Sequence, residues 1–204
     1  MWDSFFKGYD SSEVLVRKVV LQGVSIFTLL CVVVCPLAAT QQPNNGESRI
    51  ATRDKLRKLL QSHGPGMNVV FRQNDAEPFF FSGILTQGLT NTESFEIVIA
   101  VTTADTISFR IYPHYKGAYI NVDKARESPA LMRQLLRFSE RAFLFWGADS
   151  SGDVFAGYTF TLESGFPDEA VRVVLSSIKN LDRYIGEMRP AIDGSTAAVP
   201  SASR

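Results

Sequence analysis

Few side chains in this sequence could carry covalent or metal chemistry. The histidines are His63 and His114, and the cysteines are Cys31 and Cys35. Neither histidine has a cysteine near it, and no histidine pair falls at helical metal spacing. Without a G-x-S-x-G elbow either, nothing supports a zinc enzyme or a serine hydrolase. The stretch Gly147-Ala148-Asp149-Ser150-Ser151-Gly152-Asp153 has the glycine spacing of a phosphate loop, but Asp153 stands where a lysine would meet the phosphates. A carboxylate there repels them, so the stretch reads as a hairpin turn. The carboxylate pairs Asp168 with Glu169 and Asp149 with Asp153 fall at a helix start and at that turn, where structure alone would place them. No catalytic residue, metal or cofactor is therefore expected.

Two aromatic groups are the remaining candidates for a contact surface. Phe79, Phe80 and Phe81 fall on one strand, so their rings must point to alternate faces. They are core if both faces are covered and a partner surface if one is not. Tyr112, His114, Tyr115 and Tyr119 gather near a strand end and offer amphipathic rings suited to a binding rim, or to packing a loop on the sheet. A small-ligand sensor or an uncharacterised enzyme using His114 and these tyrosines is the alternative to a protein-contact surface.

These side chains depend on the elements between residues 49 and 188, which have the length of one domain. A first helix is predicted over Ile50 to Gln61, stopped by His63-Gly64-Pro65-Gly66. Its basic residues form a solvated face beside Leu56, Leu59 and Leu60. Strands follow at Asn68 to Arg72 and Pro78 to Leu85. Phe95, Ile97, Ile99 and Val101, then Ile107, Phe109 and Ile111, alternate about the turn Thr103 to Thr106 and predict an antiparallel hairpin. A shorter strand covers Ala118 to Val122. Ser128-Pro129 opens a helix with Leu131, Leu135 and Phe138 buried, the serine suited to cap it. A second hairpin joins Ala142 to Ala148 with Val154 to Leu162. One last helix carries Val171, Val174, Leu175, Ile178, Leu181, Ile185 and Met188 at spacings of three and four. Short turns and segregated helices predict an α+β fold, an antiparallel sheet with helices packed on it.

Outside this block the chain changes character. Val19 to Thr40 is 22 residues without a charge, 16 of them hydrophobic, preceded by Arg17 and Lys18 and ending in Pro36-Leu37-Ala38-Ala39. Residues 1–40 therefore read as a signal peptide or membrane anchor containing an apolar helix. The acidic, aromatic WDSFFKGYDSSE suits a signal peptide poorly, and a start near Val14 or Val16 is expected. Residues 41–48 read as a linker and 189–204 as a disordered tail. The expected location is periplasmic or extracellular, or anchored in the inner membrane, with membrane contact through the amino-terminal segment if it is uncleaved.

With 204 residues, 45% hydrophobic and 11% aromatic, the chain has ample material for a core, and wholesale disorder is excluded. Twenty-one basic residues balance 21 acidic ones, which leaves no charge excess for a nucleic acid.

Leu135-Leu136-Arg137-Phe138, Phe143 to Gly147, Asp149-Ser150-Ser151-Gly152-Asp153 and Ala170 through Leu181-Asp182-Arg183-Tyr184 occur in an order that resembles the YbjN family of bacterial sensory transduction regulators. The resemblance covers about a third of the chain, from Ser128 to Met188. It implies a fold similar to type III secretion chaperones, and a non-enzymatic protein-interaction or regulatory module with a polypeptide partner and room for a homodimer. Ser139 stands where the family often has asparagine, so a role for that amide does not carry over.

Overall fold

The structure, a computed structural model, describes residues 45–194. It begins with α1 (Asn45–His63), a 3-10 turn (Gly64–Met67) and the strands β1 (Arg72–Gln73), β2 (Phe80–Leu85), β3 (Ser94–Val101), β4 (Thr106–Tyr115) and β5 (Ala118–Tyr119). Then come α2 (Ser128–Arg141), β6 (Phe145–Ala148), β7 (Val154–Thr161), α3 (Asp168–Ser177), a second 3-10 turn (Ile178–Leu181) and α4 (Asp182–Asp193). The result is α+β, with one antiparallel sheet and helices packed on it.

The β3–β4 hairpin shows why the sheet has one buried face. Ile97 pairs with Ile111, Ile99 with Phe109 and Val101 with Ile107, and all six side chains are fully buried. A slip of one residue would turn this whole set to the opposite face, so burial fixes the register. Between the strands Asp105 takes a left-handed conformation at φ 51°. The sheet runs in the order β1-β2-β3-β4-β7-β6, with β5 paired to the end of β4. Because α2 and β6 intervene before β7, the return strand lies beside β4 and β6 becomes an edge.

All four helices cover the same face. Leu56, Leu59 and Leu60 of α1, Leu131, Leu135 and Phe138 of α2, Val171, Val174 and Leu175 of α3, and Ile185 and Met188 of α4 join the strand residues in one cluster. Each helix is amphipathic at the spacing that puts three or four apolar residues per two turns on the sheet. The other face of the sheet carries no helix among the described residues.

Several boundaries differ from those the sequence predicts. Asn45 to Ser48, read as linker, belong to α1. The strand predicted over Asn68 to Arg72 shrinks to Arg72–Gln73. Asn68 closes the preceding 3-10 turn in a left-handed conformation, and Val69 still bonds back to Gly64, which holds the chain out of the ladder. The predicted strand from Pro78 begins at Phe80.

Ser128 does not cap α2. Glu127 occupies the cap with no side-chain bond. The amides of Arg126 and Glu127 instead donate to the carbonyls of Ile192 and Ala191. Those bonds satisfy the end of α4, which is why Arg189 to Asp193, read as tail, remain helical and Ala191 is buried.

The single last helix is in fact two, split by the 3-10 turn. Leu175, Ile178 and Leu181 are three apart, the spacing at which 3-10 side chains stack, and all three stay buried through the break.

Candidate functional site

Register decides which of the candidate aromatic residues share a surface. Phe81 points to the helices and is core, whereas Phe80, opposite Ala100, points to the open face. Phe79 precedes β2 and lies on the helix side, with the Arg49 guanidinium 3.6 Å and the Arg53 guanidinium 5.5 Å from its ring centre. Arg49 also donates twice to the Val101 carbonyl, at 2.8 and 3.0 Å, and Arg57 bonds Asp54 and Gln73. Three basic residues of α1 are thus engaged within the fold.

Period two divides the tyrosine cluster in the same way. Tyr115 shares the helix side with Ile111, and its hydroxyl donates to Asp193 of α4 at 2.9 Å. Tyr112 and His114 alternate to the open face, and Tyr119 joins them because β5 pairs it with His114.

Across that face the register aligns Ile84, Glu96 and Tyr112 in one row and Ser82, Val98, Arg110, Gly157 and Phe145 in the next. Five rings form a continuous ladder on it. Phe145 meets Phe155 edge-on at 5.8 Å, Phe155 meets Tyr112 at 5.8 Å, Tyr112 meets Tyr119 at 5.7 Å and Tyr119 meets His114 at 4.4 Å. The ladder is tightly packed at Tyr112, which is 6% exposed, whereas Tyr119 and Phe145 are 39% and 45% exposed.

Two charged residues frame the rings. The Arg110 guanidinium sits 4.8 Å from the Phe155 ring centre, a cation–π contact. Diagonally across from Arg110, Glu96 Oε2 accepts the Tyr119 hydroxyl. His114 Nε2 lies 3.6 Å from the same oxygen and is shielded from solvent without a hydrogen-bond partner.

Burial, followed by the bond to Glu96, pushes the Tyr119 phenol above its usual value, and burial also raises Tyr112. Both phenols are therefore protonated near neutral pH, when they act as hydrogen-bond donors and apolar plates, not as bases.

Glu96, Arg110, Phe145 and Phe155 belong to this surface although sequence reasoning did not single them out. The available signal was the isolated Gly157 within a strand pattern. A Cβ there would come within 2.5 Å of Phe145 Cζ, so the missing side chain makes room for the ring to lie across β7.

The remaining polar groups have structural work. The stretch from Asp149 to Asp153 is a hairpin turn: Gly152 has φ 79°, and Asp149 Oδ1 accepts the amides of Ser151 and Asp153. The buried Asn121 ties this turn to the chain after β5 through Ser151 O and Asp153 Oδ1. His63 lies on α1, 3.3 Å from Ser176 Oγ, on a different element from His114. Ser139 Oγ accepts the Trp146 amide at 2.8 Å and lies 3.0 Å from the Leu135 carbonyl. Ser139 thus fastens α2 to the outward side of β6.

Among the described residues no three His, Cys, Asp or Glu side chains are grouped to hold a metal ion. No described helix is long and apolar enough to cross a membrane. The apolar segment at 19–40 lies outside the described residues.

No family model and no curated protein matches the sequence. A similar solved structure is the crystal structure of the ExsC-ExsE complex, with a TM-score of 0.47 and 16% sequence identity, covering 70% of this chain and 98% of that chain.

Proposed function

We propose that this domain is a non-enzymatic protein-interaction module that holds a polypeptide on the open face of its sheet. The observation that carries the reading is the ring ladder. A row of aromatic side chains lies across β6, β7, β4 and β5 on the face that no described helix covers, with the Phe145 and Tyr119 rings partly exposed. Amphipathic rings on a rigid sheet supply large contact area at small entropic cost, and the Glu96 and Arg110 charges beside Tyr112 add polar anchors for a bound chain. The YbjN-like order of motifs, with the secretion-chaperone-like fold that it implies, supports a regulatory or carrier role of this kind.

The module acts outside the cytoplasm or tethered to the inner membrane. Support for that location comes from the basic, apolar and small-residue succession of residues 17–40. Fractionation with amino-terminal sequencing tests it, and a cytoplasmic chain retaining residues 1–39 would sink it.

The competing small-ligand reading draws on His114, Tyr112 and Tyr119 lying together with Glu96. One experiment separates the two readings. The full chain and its Tyr119→Ala/Phe145→Ala variant are used as bait in parallel, and both are also screened for thermal stabilisation by a metabolite library. Retention of one polypeptide by the parent and its loss from the variant is expected. Stabilisation by a metabolite with no polypeptide retained would overturn the proposal.

A further inference from the structure

A cleft on the helix side of the sheet, away from the ring ladder, gathers polar side chains that the binding face does not use. It encloses about 330 Å³ between the end of α1, the first 3-10 turn and the end of α3, and no acidic side chain lines it. His63, Ser176 and Lys179 are among its walls. Gly64 fixes the place of His63: a Cβ at 64 would come within 2.5 Å of the Val69 carbonyl oxygen, so the chain can turn back sharply after α1 only with glycine there. Ser176 and Lys179 are three apart and follow the buried Leu175 and Ile178, which sets both on one side of the α3 end. His63 Nε2 lies 3.3 Å from Ser176 Oγ. Lys179 is half-buried, yet among the described residues it makes neither a hydrogen bond nor an ion pair. A lysine drawn out of water is ordinarily paired, and in a chain with 21 basic and 21 acidic residues this cation is not the remainder of a basic excess.

We infer that this cleft binds a phosphate group, as free phosphate or as the end of a phosphate monoester. Lys179 supplies the charge, and the Ser176 hydroxyl and His63 imidazole supply directed donors. Donors on three side chains match the three terminal oxygens of a tetrahedral phosphate better than the two of a planar carboxylate. With hydrogen on His63 Nε2, the imidazole donates and the Ser176 hydroxyl proton is left for the anion. The acceptors nearby are already engaged. The Leu59 carbonyl takes the Ser62 hydroxyl at 2.9 Å, and the carbonyls of Gly64 and Pro65 take the amides of Val69 and Asn68, each at 3.0 Å.

The test titrates the full chain, in a mild detergent, with inorganic phosphate and separately with phenyl phosphate, against sodium chloride at matched ionic strength. Nuclear magnetic resonance follows the His63 imidazole nitrogens, and thermal melting follows stability. A saturable shift at Nε2 and a rise in melting temperature are expected from at least one phosphate probe and not from chloride. The tighter probe identifies the source of the group. Lys179→Met should weaken binding at least about tenfold, and Lys179→Arg should keep most of it. Tyr119→Ala/Phe145→Ala should leave it unchanged, which separates this site from the sheet face. Melts without ligand establish that each variant is folded. Saturation by neither probe, an equal response to chloride, or undiminished binding in Lys179→Met overturns the inference.

Discussion

The carboxylate of Asp182 accepts both the hydroxyl of Thr90, at 2.7 Å, and its backbone amide, at 2.9 Å, although the two residues are 92 positions apart. The backbone amides of Asn91 and Thr92 also donate, each at 2.9 Å, and so does the Asn91 side-chain amide, at 3.1 Å. Asp182 is the first residue of α4 and is 6% exposed, so one buried charge joins the β2–β3 loop to the start of that helix. Negative charge at a helix start is favourable, and its desolvation is offset by charge-assisted bonds.

Burial alone would push the Asp182 carboxyl up, but the Thr90 hydroxyl and the amides of Thr90, Asn91 and Thr92 outweigh it and hold the group below the ordinary aspartate value. A carboxylate depressed in the folded state contributes its full stabilisation above the unfolded value, about 3.9. That contribution is lost as pH falls through the lower folded value. Asp182→Ala is expected to cost about 3 kcal/mol at pH 7, because several buried donors lose their acceptor. The gap between parent and variant should close in acid. Urea unfolding between pH 7 and pH 2.5 checks this, and a gap independent of pH would contradict it.

Ser139 protects the edge of the sheet. Its hydroxyl occupies the outward-facing amide of Trp146, a position where another strand would otherwise bind. Ser139→Ala should destabilise the domain by about 1 to 3 kcal/mol through the unpaired amide. It should also increase edge-to-edge association, read as light scattering at rising concentration. Ser139→Asn, which can both donate and accept, is expected to retain more stability than the alanine variant.

Gly157 and Phe145 form a single unit. Gly157→Ala places a methyl group within 2.5 Å of Phe145 Cζ and must displace the ring from β7. A cost of about 1 to 3 kcal/mol is expected from this overpacking. In a Phe145→Ala background the same change should be close to neutral. A double-mutant cycle measured by thermal unfolding checks the coupling. Additive effects would show that the ring and the glycine are independent.

The parts of the fold that were legible in the sequence are those where burial and periodicity agree. From Phe95 to Val101 in β3 and from Ile107 to Ile111 in β4 every second residue is apolar and fully buried, so the pattern admits one register. Leu175, Ile178 and Leu181 illustrate the opposite case. A spacing of three satisfies both an α-helix and a 3-10 turn, and only the Asp182 cage, formed by a distant loop, shows where the helix restarts.

The surface divides in the same way. Tyr112, His114 and Tyr119 were near one another in sequence and remain together, but Tyr115 turns away because strand side chains alternate. Phe145 and Phe155 have no sequence signal beyond the isolated Gly157 that joins them to Tyr112. The β6–β7 register and the absence of a side chain at Gly157 bring them there.

The proposed binding face is tested most directly by photo-crosslinking from single sites in the full chain. A photoreactive phenylalanine analogue replaces Phe145 or Tyr119 on the open face, and Val173, exposed on α3, serves as the control. Crosslinks from positions 145 and 119 to the same polypeptide, with none from 173, are the expected result. Crosslinks confined to position 173, or none from either open-face site while the polypeptide is still retained by the chain, would contradict binding on the open face of the sheet.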